Sequence, residues 1–162
     1  MVINFSEPSK FTVRSFLNAV NNFPQRNLFD GVPVHVYRPG KARGILKGGN
    51  LATLTALMGT EWEIDTEGSI LFLEDVGEKL YKVDRLLTQW LMAGKLKKVR
   101  GLILGDFQGL KIKEVYRILS TQMKIDFPLV HCPYIGHGRN KITLPVGARV
   151  DLNTRKKSLS VR

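Results

Sequence analysis

Apolar positions along this chain switch between a period near 3.6 and a period of 2, and the switches mark out its elements. Residues 11–23 carry Phe11, Phe16, Leu17 and Val20 at helical spacing, which predicts a short helix with Phe16, Leu17 and Val20 inward, Thr12 as its cap and Pro24 as its stop. Val32 to Tyr37 alternates as a half-buried strand, and Pro39-Gly40 turns the chain so that a strand over 44–47 pairs back on it. Gly48-Gly49-Asn50 reads as a tight turn that ends on a capping asparagine. The helix after it has Leu51, Leu54 and Leu57 inside and stops at Gly59.

Further along, 62–68 alternates as an edge segment, and Ser69 to Leu73 is apolar on both faces, the mark of a central buried strand. Over 77–94, Leu80, Val83, Leu87, Trp90 and Leu91 line one helical face, while Lys79, Lys82, Arg85 and Gln89 line the other. A second buried strand over 99–104 leads through Gly105-Asp106 to an amphipathic helix built on Ile112, Val115, Leu119 and Met123. A third strand covers 129–132, and 148–152 with 158–161 forms a hairpin around Asn153-Thr154. Strand, helix, strand, helix between flanking hairpins predicts a mixed α/β fold rather than a pure doubly wound sheet, and one domain over 1–162.

With 43% hydrophobic and 24% charged residues in 162, the composition suits a globular core, and no apolar run is long enough to cross a bilayer. The first residues show no basic stretch followed by an apolar one, which predicts a cytoplasmic protein. Cys132 is the single cysteine, so an internal disulfide is excluded and a Cys-rich metal site has no ligands; no cofactor is implied. The net charge of +11 is spread over 38–47, 95–100, 111–117 and 139–162 without a block of five like charges, so a solvated surface explains it better than a nucleic-acid site. A missing acidic segment that balances part of the charge is a second explanation.

Chemistry is concentrated in few places. His35 alternates out of the Val34 and Val36 face towards solvent, and His131 lies within an apolar strand, where a hydrogen-bonded core imidazole is the ordinary outcome. His137 stands between Gly136 and Gly138, whose backbones permit a turn that projects one side chain into open space; a solvated loop histidine has the same signature. Glu74 and Asp75 follow the central strand, where ligand sites gather in α/β sheets. Alternation sends the two to opposite faces, one towards a site and the other towards capping the helix that starts near Gly77. No serine sits in a Gly-x-Ser-x-Gly elbow, and Cys132 before Pro133 suits an inert buried thiol, so no attacking group is evident.

Gly48-Gly49-Asn50-Leu51, Gly59-Thr60, Gly68 through Val76, Tyr81 through Arg85, Gly105-Asp106-Phe107, Gly136-His137 and 140–147, in that order, resemble the LD-carboxypeptidases, the muramoyltetrapeptide carboxypeptidases. The resemblance implies a swivelling β/β/α domain, a small mixed sheet with helices packed on it and a C-terminal hairpin. It also implies that this chain corresponds to the C-terminal domain alone, the N-terminal domain with the serine nucleophile being absent. Glu74 and His137 match the glutamate and histidine of the family's triad, and nothing matches its serine. The implied partners are a murein tetrapeptide, which loses its terminal D-alanine during cell-wall recycling, the serine-bearing domain or chain, and a second copy in a homodimer. The related microcin-immunity group, which cuts aminoacyl-nucleotide amides, and a non-catalytic binding module are the alternatives. Asn50 is a candidate for holding a substrate carboxylate, with capping as its simpler role.

Overall fold

Ten residues of unbroken strand, Lys41–Asn50, place the glycine pair of the sequence inside a sheet rather than in a turn. The computed structural model describes residues 9–21, 24 and 27–162. Its elements are α1 (Lys10–Asn21), β1 (His35–Arg38), β2 (Lys41–Asn50), α2 (Leu51–Ala56), β3 (Ser69–Val76), α3 (Leu80–Met92), β4 (Gly101–Gln108), α4 (Ile112–Gln122), β5 (Leu129–His131), β6 (Arg149–Asn153) and β7 (Ser158–Val161). One seven-stranded sheet runs in the order β1-β5-β4-β3-β2-β6-β7. Strands β2 to β5 are mutually parallel, and β1 and β6 join them antiparallel at either side. The mixed α/β architecture and the closing hairpin β6–β7 are as the pattern predicts.

The two sheet faces bury separate cores. Leu71, Leu73, Leu102, Leu104 and Leu129 meet α2, α3 and α4 around Trp90, whose indole N–H donates to Thr55 Oγ1 at 2.7 Å. Leu46, Ile70, Phe72, Ile103, Val130, Val150 and Leu159 face Leu28, Phe29 and Ile135 instead. Strands β3 and β4 supply residues to both sets, which is why they read as continuous apolar runs. No helix among the described residues is long and apolar enough to cross a membrane.

Four expectations change. Strand β2 does not pair back on β1; it lies between β3 and β6, and β1 pairs with β5 at the far side of the sheet. Proximity in sequence suggested the hairpin, but the Pro39-Gly40 corner separates the strands. Gly48 and Gly49 continue the ladder beside Phe72 and Leu73, with φ of +143° and +157°. A Cβ at Gly48 would collide with the Phe72 carbonyl, so the glycine serves close strand approach rather than a turn. Residues 62–68 form turns and loop instead of an edge strand, with Trp62 exposed and their carboxylates paired with lysines elsewhere: Glu63 to Lys95, Asp65 to Lys47 and Glu67 to Lys98.

Helix α1 reverses its predicted face. Leu17 and Val20 are exposed, with 49% and 62% of their surface open, and Phe16 is at the edge of exposure, while Thr12 is buried. Ser9, not Thr12, caps the helix by accepting from the Thr12 N–H at 3.1 Å. Amphipathic spacing identifies a helix but not which neighbour it meets, and α1 docks through its hydroxyls. The predicted end at Phe23 lies outside the described residues.

Candidate functional site

The parallel strands β3, β4 and β5 end side by side, and the loop after β5 crosses these ends. On β3, Ile70 and Phe72 face the core opposite the helices, and alternation puts Glu74 on their side. Glu74 is buried, and its Oε2 lies 2.7 Å from Nδ1 of His137, whose side chain is 49% exposed. Residues 63 apart in the chain therefore form a dyad of one buried carboxylate and one accessible imidazole. When Nδ1 carries the proton and donates to Glu74, Nε2 presents a free lone pair outward.

Glycine makes this approach feasible. Gly136 has φ +132°, and a Cβ there would sit 3.0 Å from Glu74 Oε2 and 3.2 Å from the Asp106 Cβ. Helix α1 secures the far side of the loop. The Lys141 N–H donates to Thr12 Oγ1 at 3.1 Å, that hydroxyl donates to the Arg139 carbonyl at 3.2 Å, and the Thr143 N–H donates to Ser15 Oγ at 2.9 Å. Phe11 adds an edge-to-face contact with Tyr134 at 5.1 Å. Burial holds the Lys141 ammonium below the ordinary lysine range, against the pull of Glu74.

Asp75, the neighbour on the opposite face, has a structural task. Its carboxylate accepts from the Ala52 N–H at 2.9 Å and from Asn50 Nδ2 at 3.3 Å. It thus anchors the start of α2 rather than the helix after Gly77, whose cap residue Lys79 makes no side-chain cap bond. Asn50 caps α2 as well, accepting from the Thr53 N–H and hydroxyl at 2.9 Å. Both polar ends of the Asn50 amide are engaged in this way.

The remaining candidates fall outside the dyad. His35 is exposed and stacks on His131 at 5.8 Å, its register partner across β1 and β5. His131 differs from the expected hydrogen-bonded imidazole: its Nδ1 is buried without a partner, and burial first, then His35, lowers its pKa to about 4. Cys132 is fully buried, and burial pushes its thiol up to about 11, the inert state its setting predicts. Among the described residues no hydroxyl or thiol is hydrogen-bonded to His137, and no group of three or more His, Cys, Asp or Glu could hold a metal. Thr12, Ser15 and Asp106 were missed as site residues. Only Asp106 had a signal, since Gly105-Asp106 near the end of β4 repeats the position of Glu74-Asp75 near the end of β3.

The chain is thus a mixed α/β domain with a carboxylate–imidazole pair at its strand ends, and comparison with known proteins gives its family. Residues 43–152 match the LD-carboxypeptidase C-terminal domain, and the chain belongs to that family. A probable murein peptide carboxypeptidase of Bacillus subtilis is 39% identical over 127 residues, covering 74% of this chain and 40% of the relative. The microcin C7 self-immunity protein MccF of Escherichia coli is 30% identical over 132 residues, covering 77% of this chain and 38% of that protein. The crystal structure of muramoyltetrapeptide carboxypeptidase from Oxalobacter formigenes superposes with a TM-score of 0.77 at 32% identity, covering 94% of this chain and 54% of that one. The chain thus spans about 40% of the length of the curated relatives it matches.

Proposed function

We propose that this chain supplies the glutamate and histidine of a serine carboxypeptidase that removes the terminal D-alanine from murein tetrapeptides in the cytoplasm. The observation that carries the reading is the 2.7 Å contact between buried Glu74 Oε2 and half-exposed His137 Nδ1. In this role His137 Nε2 takes the proton of a serine hydroxyl as it attacks the amide carbonyl, and then delivers it to the leaving amine. Glu74 holds the tautomer and stabilises the imidazolium that forms between the two transfers. In this reading the serine belongs to an N-terminal domain or a separate chain, in keeping with the lack of a hydroxyl hydrogen-bonded to His137 among the described residues. The chain alone accordingly turns over no substrate. A net charge of +11 favours an anionic substrate.

The test joins residues 9–162 behind the serine-bearing portion of the Bacillus subtilis relative and measures D-alanine released from a murein tetrapeptide. Release is expected from the joined protein and not from the chain alone, and His137→Ala is expected to reduce it by about 10⁴-fold. Unchanged release in His137→Ala would sink the assignment. The likeness to the microcin self-immunity protein supports a second reading, a domain of an aminoacyl-nucleotide amidase. Hydrolysis of such an amide in place of the tetrapeptide selects it.

A further inference from the structure

We propose that Asp106 is a second carboxylate of the imidazole site, a positioning residue that backs the loop of His137 and stabilises its charged form from β4 while Glu74 does so from β3. The inference rests on the Glu74–His137 dyad of the proposed function. Pairing of β3 with β4 runs Leu73 to Leu104 and then Asp75 to Phe107, so Gly105 and Asp106 together oppose the single residue Glu74. That is a β-bulge, the device by which a strand re-aims one side chain. The Asp106 N–H leaves the ladder and donates to the Ile135 carbonyl at 2.6 Å, which pins the bulge to the loop. Gly105 is required there, since a Cβ would meet the Ile135 carbonyl oxygen at 2.5 Å and the Glu74 Cβ at 2.9 Å.

The re-aimed side chain lies against both neighbours of His137. A Cβ at 136 would stand 3.2 Å from the Asp106 Cβ, and one at 138 would stand 3.3 Å from its Oδ2. Asp75 is explained by its bonds to α2, but the Asp106 carboxylate accepts no hydrogen bond and joins no ion pair among the described residues. It is half-buried, and burial raises its pKa while the charge of His137 opposes that rise. A half-buried carboxylate held beside an imidazole without a protein donor of its own is placed to offset the positive charge acquired during proton transfer. Among the described residues, Glu74 on β3 and Asp106 on β4 act on the imidazole, and Lys141 on the same loop acts on Glu74.

Proton NMR titration of His137 in the 162-residue chain at low salt tests this. Asp106→Asn is expected to lower the His137 midpoint by about half a pH unit, Asp106→Glu to restore it, and Glu74→Gln to lower it independently. A purely structural role for Asp106 would leave the midpoint in place. If Glu74→Gln moves the midpoint and Asp106→Asn does not, the second carboxylate is wrong and the dyad stands; if Glu74→Gln moves nothing, the dyad itself fails. The reciprocal measurement covers a poorly folded Asp106 variant: His137→Phe is expected to raise the carboxyl midpoint of Asp106, and an unmoved midpoint overturns the proposal.

Discussion

The two ends of β3 carry acidic residues in opposite circumstances. Before the strand, Asp65 and Glu67 are exposed with 74% and 64% of their side-chain surface open, Glu63 is 30% open, and each pairs with a lysine. At its other end Glu74 and Asp75 are buried, and neither pairs with a lysine or arginine among the described residues. Water screens the first group, so its partners can be exchanged at little cost. Burial makes the second group selective: each carboxylate must meet a definite donor, and each meets a different one. Glu74 is committed to an imidazole and Asp75 to the first turn of α2, which separates the candidate chemistry from the scaffolding by a single residue.

Substitutions should separate the two ends. Gly48→Ala, beside the end of β3 that carries the site, is expected to cost about 3 kcal/mol or more in urea denaturation, from collision with the Phe72 carbonyl and a strained φ. Gly59→Ala, in the loop before β3, has φ +80° and open space around it, so only about 1 kcal/mol of backbone strain applies. Equal costs would erase the contrast.

His131, at the site-bearing end of β5, makes the next largest effect a pH-dependent one. Its ordinary pKa of 6.5 falls to about 4 in the folded state, so below pH 6.5 the unfolded chain binds a proton that the native chain refuses. This contribution to stability is intact above pH 6.5 and is lost between there and about pH 4, on the order of 3 kcal/mol in all. Unfolding free energies measured across that window should be flatter for His131→Phe, and an unchanged slope would show that another group carries it.

Thr12→Val removes two bonds to the His137 loop and is expected to cost about 1–2 kcal/mol while speeding hydrogen exchange at the amides of 139–143. The smallest effect belongs to the loop before β3. The Lys95 ammonium, then the Gly59 N–H, holds the Glu63 carboxyl below its ordinary range. Its stabilisation is present above that range and fades as pH falls through the lowered value. Glu63→Gln should therefore lower stability slightly at pH 7 and not at all at low pH, flattening the acid dependence by that small amount; a large loss at neutral pH would contradict the screened picture.

Much of the architecture was legible because the strands and helices of the middle of the chain are strongly periodic. The apolar run of β3, the Val83, Leu87 and Trp90 face of α3 and the β6–β7 hairpin all appear where the pattern puts them. The motif around Glu74 and His137 was legible through resemblance, and the structure brings the two side chains into contact. Less could be read at α1, where a helical stripe of Phe16, Leu17 and Val20 turned out not to be the buried face. Residues 62–68 alternate like a strand, yet they join no ladder of the sheet, and their acids meet lysines from distant parts of the chain.

Local pattern decided which segments become helix or strand, because periodicity and side-chain direction are properties of a few consecutive residues. It also limited the chemistry, since one cysteine and three histidines leave few candidates. Strand order was settled only in three dimensions: β2 left its neighbour β1 for β3 and β6. So was the aim of Asp106, which depends on an extra residue in one strand relative to its partner. Such features depend on contacts between residues tens of positions apart, whose free energies come from packing and desolvation and leave no trace in a local stretch of chain.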